Sequence, residues 1–209
     1  PILSSWNDHL ETRSARARAT FRKQARRIEE LRDAGLRLRI TGSPHLEPEL
    51  VARLSALDVR RGGTTPAGPF SQHPAFFDEV IHRLGPAGWL YLAVAEEREL
   101  LLAYDFGFHC GRKIWGYAKA YDRSRAQLSL GTMLSPIVFD YGFANGCDEY
   151  DFLRGSEEYK RKSTEGLRAT QRLEIWSSTA RSLVAATLSF AQRAYSRAAT
   201  ASHPTSSGA

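Results

Sequence analysis

Charged and aromatic residues crowd together between Tyr150 and Lys162, and their types and spacing could support catalysis. An otherwise apolar predicted strand carries Asp151 there and ends at a glycine turn. An aspartate in an apolar strand is costly unless a partner binds it. It therefore either forms an internal ion pair, for example with Arg154 or Lys160, or lines a site at the carboxyl end of the strand, where open sheets usually place ligands.

Other kinds of catalytic site have less support in the sequence. The histidines show no close pairing with each other or with cysteine, so we expect no metal cofactor; they are His9, His45, His73, His82, His109 and His203. There is no nucleophile elbow for a Ser-His-Asp mechanism and no Gly-rich nucleotide fingerprint. Cys110 lies at a predicted strand end, where we expect it to act as a small buried hydrophobic residue.

Length and composition limit the class of protein. The chain has 209 residues, 42% of them hydrophobic, which suits one domain of ordinary size or two very small ones. Its longest apolar stretches fall short of the ~20 residues that a membrane helix needs. Two cysteines cannot form a disulfide framework, and no signal peptide opens the sequence. We therefore expect a cytoplasmic protein without a membrane span.

The positive charge is concentrated in one segment. The net charge is +6, and residues 13–39 hold ten basic and three acidic residues, a net of +7, which leaves −1 for the rest. One interpretation is a solvated helix face. The other is a contact surface for a polyanion, which would be nucleic acid, acidic lipid or an anionic ligand. Because no nucleic-acid-binding motif accompanies the segment, nucleic acid is the least favoured of these.

Hydrophobic periodicity predicts an α+β fold with a mixed sheet. The predicted elements are helix 7–34, strand 36–40, helices 47–60 and 70–84, an antiparallel meander of strands 89–95, 100–110 and 113–121 with Glu96 to Glu99 in its first turn, helix 131–145, strands 148–153 and 173–176, helix 178–199 and a disordered tail 201–209. The helix at 131–145 is a crossover, which makes strands 113–121 and 148–153 parallel. We expect one domain over residues 1–200.

Three features resemble the GNAT-like acetyltransferase domain of CelD-like proteins, which is related to the Fem-type peptidyltransferases. They are the stretch Ser129 to Leu134, then Gly146, then Asp151-Phe-Leu-Arg-Gly-Ser-Glu-Glu-Tyr-Lys160. The resemblance covers about residues 10–177. It implies a GNAT-like mixed sheet flanked by helices, acetyl-CoA or another acyl-CoA as donor, no metal, and a chain that corresponds to the second half of a longer protein.

The resemblance also implies where the donor binds. In this superfamily the loop and helix start after the third meander strand receive the pyrophosphate of acyl-CoA, and the pantetheine arm runs between the two strands that flank that helix. The matching residues are Gln127, Ser129, Leu130, Gly131 and Thr132. Free N–H groups and the dipole of a helix start attract anions, and a glycine allows close backbone approach. Ser135-Pro136 is an alternative cap and first-turn pair, which would move the helix start away from Gly131.

Acyl transfer to an amine gives the acidic and basic residues their implied roles. Asp151 and Glu157 are candidates for the general base or for acceptor binding, and Tyr159 for protonating the thiolate. Lys160 and Arg154 are candidates for holding a carboxylate or phosphate of the acceptor. No sequence feature separates these roles, and Lys160 could equally be a structural partner of Asp151.

The acceptor and the partners stay open at this point. The family resemblance suggests a small-molecule, glycan-precursor or lipid-precursor amine as acceptor. Ser163 stands where the family has tryptophan, so one alternative is a catalytically degenerate binding module that uses the basic segment 13–39. Another is a Fem-type transferase that takes its donor from aminoacyl-tRNA. The first helix has only a thin apolar stripe, and a homodimer would cover it.

Overall fold

The computed structural model describes residues 10–42, 49–61, 68–155, 160 and 187. The chain divides into two compact units, Pro1–Lys162 and Ser163–Ala209, and the elements below all belong to the first. The predicted strand 173–176, helix 178–199 and disordered tail 201–209 lie outside the described residues. The single domain over residues 1–200 accordingly stays a prediction.

The described residues include five α-helices, a short 3-10 helix and a five-stranded sheet. In chain order they are α1 (Ala15–Asp33), β1 (Leu36–Thr41), α2 (Leu50–Arg60), α3 (Pro69–Gln72), α4 (Pro74–Leu84), β2 (Leu90–Glu97), β3 (Leu100–Cys110), β4 (Lys113–Tyr121), the 3-10 helix (Arg123–Leu128), α5 (Leu130–Ala144) and β5 (Glu149–Asp151). The strand order is β1-β2-β3-β4-β5. Neighbouring strands are antiparallel up to β4, whereas β4 and β5 are parallel. The predicted α+β mixed sheet with a parallel crossover is confirmed.

Each face of the sheet carries its own hydrophobic cluster because side chains alternate along the strands. On one face α1 and α5 pack through residues such as Leu31 and Leu134. On the other face α2 and α4 pack through residues such as Leu54 and Ile81. The sheet is therefore the middle layer between two layers of helices.

Helix α1 begins later than the periodicity predicts. Residues 10–12 are helical, the helix breaks at Arg13, and Ser14 caps a new helix by accepting a hydrogen bond from the backbone N–H of Ala17 at 3.3 Å. Of this helix only Ile28 and Leu31 are buried. Its basic amino-terminal half thus contributes little to the core.

The predicted helix 70–84 is two helices in the structure. It breaks at His73, whose backbone leaves the helical region (φ −136°, ψ 55°), and restarts at Pro74. A proline disfavours the helical conformation in the residue before it and suits the first turn of a new helix. The expectation of one continuous helix is therefore wrong.

A similar correction applies to the first turn of the meander. Strand β2 continues through Glu96 and Glu97, and the turn contains Arg98 and Glu99. Glu96 is only 4% exposed, and it forms ion pairs with Arg39, at 3.1 Å, and with Arg53. These two partners let a carboxylate occupy a buried strand position that the sequence pattern assigns to a turn.

Candidate active site

Strands β4 and β5 pair over three residues each, and we call the region beyond their last pair the gap. The parallel pairing joins Lys113 to Glu149, Ile114 to Tyr150 and Trp115 to Asp151, and it ends there. Strand β4 continues to Tyr121, and among the described residues no strand pairs with its outer edge beyond Trp115. Within the described part of the chain, the stretch of β4 from Gly116 to Tyr121 therefore has a strand neighbour on one side, β3.

Helix α5 begins at the carboxyl end of β4. Ser129 is its cap residue in a left-handed conformation (φ 55°, ψ 31°), and Leu130, the first helical residue, is buried. The hydroxyl of Thr132 donates to the carbonyl of Ser129 at 2.8 Å. Pro136 lies inside the helix, so the alternative start at Ser135-Pro136 is wrong. The N–H groups of Thr132 and Met133 donate to the carbonyl of Ser129 at 3.0 and 3.2 Å, which leaves those of Leu130 and Gly131 as the helix-start donors that can hold an anion.

The residues around this helix start are closely packed. A Cβ atom added at Gly131 would lie 3.1 Å from the ring of Tyr121, which is tighter than ordinary contact. Gln127 is exposed on the 3-10 helix that precedes Ser129. Asp122 starts that 3-10 helix by accepting hydrogen bonds from the backbone N–H and the hydroxyl of Ser124, at 2.9 and 2.7 Å. Hydrogen bonds thus hold the segment before α5 at Asp122, where it begins, and at Ser129, where it ends.

The second group of predicted site residues follows β5. The carboxylate of Asp151 lies 3.0 Å from the ammonium of Lys113 and accepts a hydrogen bond from the backbone N–H of Leu153 at 2.8 Å. Leu153 has a left-handed backbone (φ 56°), which is uncommon for a bulky residue and is found near functional sites. The hydrogen bond that Lys113 donates to Glu149 raises the pKa of Lys113 against the opposing effect of burial, and the hydrogen bond to Asp151 and its charge add to this.

Lys160 and Arg154 lie together after β5. Lys160 is buried, and its Nζ donates to the backbone carbonyl of Arg154 at 2.5 Å. Arg154 itself is exposed. Glu157 and Tyr159 lie outside the described residues.

The crossover brings the two predicted groups to one edge of the sheet. Since β4 and β5 are parallel, the helix start at Ser129–Thr132 and the segment after Asp151 both lie at strand carboxyl ends. In open sheets that edge is where ligands bind. The gap between β4 and β5 opens towards it.

A buried polar chain near the gap was not identified from the sequence. Asp105 on β3 is fully buried, its Oδ2 lies 2.6 Å from Nζ of Lys119 on β4, and its Oδ1 accepts a hydrogen bond from the hydroxyl of Tyr91 at 2.9 Å. Lys119 also donates to the hydroxyl of Ser135 on α5 at 3.1 Å. The hydroxyl of Tyr150 on β5 lies 3.4 Å from that of Tyr91. The signal in the sequence that could have revealed this chain is the presence of charged residues, Asp105 and Lys119, inside apolar strands.

A bulge in β4 was also not predicted. Pairing with β3 shifts between Phe106–Ala118 and Gly107–Gly116, so Tyr117 has no partner residue of its own. Its ring is 45% exposed and packs on Phe77 and Phe108, with ring centres 5.8 and 5.7 Å apart. Bulges commonly lie beside active sites, where they redirect a side chain.

The environment of Cys110 is not the buried one that the sequence predicts. Cys110 is exposed because it is the last residue of β3 before a turn, whereas Cys147 is buried. The thiol of Cys147 lies 3.3 Å from Nε2 of His109, and Nδ1 of His109 lies 3.1 Å from the hydroxyl of Tyr141. Burial raises the pKa of Cys147, so this thiol is protonated at neutral pH.

Two further kinds of feature, a metal-binding cluster and a membrane-spanning helix, are absent from the described part of the chain. No group of three or more His, Cys, Asp or Glu side chains there could hold a metal ion. None of its helices is both long and apolar enough to cross a membrane.

Comparison with known families identifies the class of protein. A family model described as an acetyltransferase (GNAT) domain matches residues 15–161. Because the match spans more than half of the chain, the protein belongs to this GNAT acetyltransferase family. It is a GNAT-type N-acyltransferase that takes acyl-CoA as its donor, as the resemblance implied.

Solved structures with similar folds include several acetyltransferases. One is an aminoglycoside acetyltransferase from an uncultured soil metagenomic sample in complex with sisomicin, with 14% identity, a TM-score of 0.46, and coverage of 70% of this chain and 98% of that one. Another is an aminoglycoside N-acetyltransferase in complex with CoA, with 14% identity, a TM-score of 0.42, and coverage of 68% and 94%. No curated protein matches the chain with statistical significance.

Proposed function

We propose that the enzyme binds acyl-CoA in the gap between β4 and β5 and transfers the acyl group to the amine of a small-molecule, glycan-precursor or lipid-precursor acceptor. One observation carries this proposal. The pairing of β4 with β5 ends at Trp115–Asp151, while α5 begins at the carboxyl end of β4. An anion site and an open strand edge thus lie next to each other.

The parts of CoA match the parts of the site. Its pyrophosphate fits the helix start formed by Ser129–Thr132, with Gln127 beside it, because backbone N–H groups and the helix dipole favour negative charge there. The amides of the pantetheine arm can pair with the open edge of β4 between Gly116 and Tyr121. The sulfur then lies at the closed end of the gap, near Gly116.

The transfer step needs little more than positioning and proton removal. The nitrogen lone pair of a neutral amine attacks the thioester carbonyl carbon, the C–S bond breaks, and the sulfur leaves with the bonding electrons as a thiolate, whose pKa is about 8.5 as a free thiol. The proton of the amine passes to a base. Such a base contributes about 10²–10⁴ in rate.

Ion pairing helps to assign roles among the predicted residues. Because Asp151 is already paired with Lys113, we assign it to binding the acceptor and not to removing the proton of the amine. Glu157 is then the proposed base and Tyr159 the proposed proton donor to the thiolate. Arg154, exposed beside the gap, and Lys160 are proposed to hold an anionic group of the acceptor.

Finer assignments stay predictions. They are membership of the CelD-like group and its Fem-type relation, an aminoacyl-tRNA donor as the alternative to acyl-CoA, a homodimer and a cytoplasmic location. The degenerate binding module with segment 13–39 as its working surface is the alternative to catalysis in this particular chain. Steep salt dependence of partner binding without any effect of CoA would favour that alternative.

Calorimetric titration of acetyl-CoA and CoA into the protein tests the donor site. We expect micromolar dissociation constants for the wild type. Gly131→Val should weaken both by about tenfold or more, or about 1.4 kcal/mol, because the added side chain collides with Tyr121 and distorts the helix start. Ala75→Val is the control, since it adds a valine at an exposed position of α4, outside the proposed site. No heat with either ligand, or equal affinity in Gly131→Val, would contradict the proposed site.

A further inference from the structure

The ion pair between Asp105 and Lys119 lies directly beside the gap. The two residues face each other across β3 and β4 in the sheet register. Asp105 is on the inner strand and fully buried, whereas Lys119 is on the strand that borders the gap and its side chain is 20% exposed. The positive member of the pair is therefore the more exposed one, and it lies on the strand that borders the gap.

Two strands and one helix surround the ammonium of Lys119. It contacts Asp105 on β3 and donates to Ser135 on α5, and it lies 5.9 Å from the ring centre of Tyr150 on β5. Tyr91 on β2 donates to the other oxygen of Asp105. Burial and the charge of Asp105 raise the pKa of Tyr91, so this phenol stays neutral. Among the side chains named in this paragraph, Lys119 thus carries the positive charge.

The ammonium lies close to the closed end of the gap. The hydroxyl of Tyr150 covers Gly116 so closely that a Cβ atom at position 116 would overlap it. The ring of Tyr150 thus spans from the Lys119 ammonium to the backbone of Gly116. A lysine has three N–H groups, and two of its directions are used by Asp105 and Ser135.

A purely structural role does not account well for this pair. Burying two charges loses hydration energy that their attraction only partly repays, and apolar replacements of buried ion pairs are often neutral or stabilising. A cation that faces a site where negative charge develops has a clear use, because preorganised donors stabilise such charge strongly in a water-excluded site.

We propose that Lys119 stabilises the CoA thiolate that leaves at the closed end of the gap, with Asp105 and Ser135 as its positioning residues. This inference rests on the proposed function. When the C–S bond breaks, the sulfur takes the electron pair, and the Lys119 ammonium donates a hydrogen bond to it without giving up its proton. The proton of the attacking amine goes to the base, as in the proposed transfer step.

The test compares CoA with desulfo-CoA, in which hydrogen replaces the thiol, by calorimetry at about pH 6 and about pH 9.5, on either side of the thiol pKa. Their phosphates are identical, so only thiol ionisation changes the ratio of their affinities. For the wild type the CoA to desulfo-CoA ratio should rise about tenfold with pH, which corresponds to a bound thiol pKa about one unit lower. Lys119→Arg should retain most of the rise.

The variants that remove the charge should abolish the rise. In Lys119→Met we expect a change of less than about twofold, but the variant leaves Asp105 buried without its partner. The double variant Asp105→Asn with Lys119→Met removes both charges and decides the result if the single variant does not fold. A pH-independent ratio in the wild type, or an equal rise in the double variant, would overturn the assignment. If neither ligand binds the wild type, the donor site itself is wrong.

Discussion

Two buried aspartates have different kinds of partners. Asp105 pairs with a charged lysine, whereas Asp58 on α2 accepts hydrogen bonds from three neutral donors. Those donors are the backbone N–H groups of Phe70 and Ser71, at 2.9 and 3.2 Å, and the hydroxyl of Tyr104, at 2.6 Å. Asp58 therefore caps the short helix α3 and ties it to the sheet, a structural role.

Replacing Asp58 by asparagine should lower the free energy of unfolding by about 1–3 kcal/mol. The amide has one acceptor oxygen, so at least one of the three buried donors would face an NH₂ group. Urea unfolding measures the loss. Asp78→Asn, on an exposed position of α4, is the control and should change stability by less than about 0.5 kcal/mol. Equal effects of the two substitutions would contradict the role of Asp58.

For single charged residues, the sequence predicted that a partner is needed, but it did not predict which residue the partner is. Asp151 was expected to be paired or to line a site, and it is paired, but with Lys113 on the neighbouring strand. That contact depends on the register of β4 against β5, which no local pattern encodes. Arg154 and Lys160 were nearer in sequence, which made them the obvious candidates.

Among the described α-helices, α1 buries the smallest fraction of its residues, two of 19. The thin apolar stripe predicted that this helix needs a docking surface, and the structure buries only Ile28 and Leu31 against the sheet and α5. Two exposed ion pairs, Arg27–Glu30 and Arg32–Glu29, run along the opposite face. Such exposed pairs add little stability, so the docking of α1 depends on two side chains.

Leu31→Ala should therefore destabilise the protein by about 2–5 kcal/mol, as other large-to-small changes in well-packed cores do. Far-ultraviolet circular dichroism during urea unfolding provides the measurement. Thr20→Ala is the control on the same helix, because Thr20 is exposed and alanine favours helices. A loss below about 1 kcal/mol in Leu31→Ala would show that α1 docks by other contacts.

The strands were predicted more accurately than the loops and breaks between elements. The bounds of β3 and β4 agree with their apolar runs, and the crossover helix implied the parallel pairing of β5. The bulge at Tyr117 was missed because it depends on pairing with β3. The gap was implied by the family resemblance and not by periodicity, since it results from where strand pairing ends.

Across the whole molecule, arginine–carboxylate pairs connect elements that are distant in sequence. Glu96 joins β2 to β1 and α2 through Arg39 and Arg53. Asp122, at the end of β4, contacts Arg60 of α2 at 3.5 Å. These contacts lie at one end of the sheet, and they make its stability dependent on the ionisation of both carboxylates.

The structure accordingly predicts lower stability in acid. Burial alone would raise the pKa of Glu96, but hydrogen bonds and charges from Arg39 and Arg53 outweigh it and hold the pKa below its usual value. Hydrogen bonds from Ser124 likewise lower the pKa of Asp122 against the opposing effect of burial. The resulting stabilisation is present above the unfolded-state pKa values of about 4 and is lost as the pH falls through the lower folded-state values.

Urea midpoints between about pH 6 and about pH 3 measure this loss. We expect a smaller fall in the midpoint for Glu96→Gln than for the wild type, because one of the depressed carboxylates is gone. Glu99→Gln, on the exposed turn next to it, should fall as the wild type does. The same fall in both variants would show that other groups determine the acid sensitivity.

The stacking of Tyr150 over Gly116 has a consequence for how the sequence can evolve. A side chain at position 116 would overlap the tyrosine hydroxyl, and Gly107, its partner on β3, is likewise closed by Trp115 and Tyr91. A substitution at position 116 should therefore be accepted only together with a substitution at position 150. Descendants that gain an alanine at 116 should carry a residue smaller than phenylalanine at 150, because the ring carbon that bears the hydroxyl would lie 2.8 Å from the added Cβ atom.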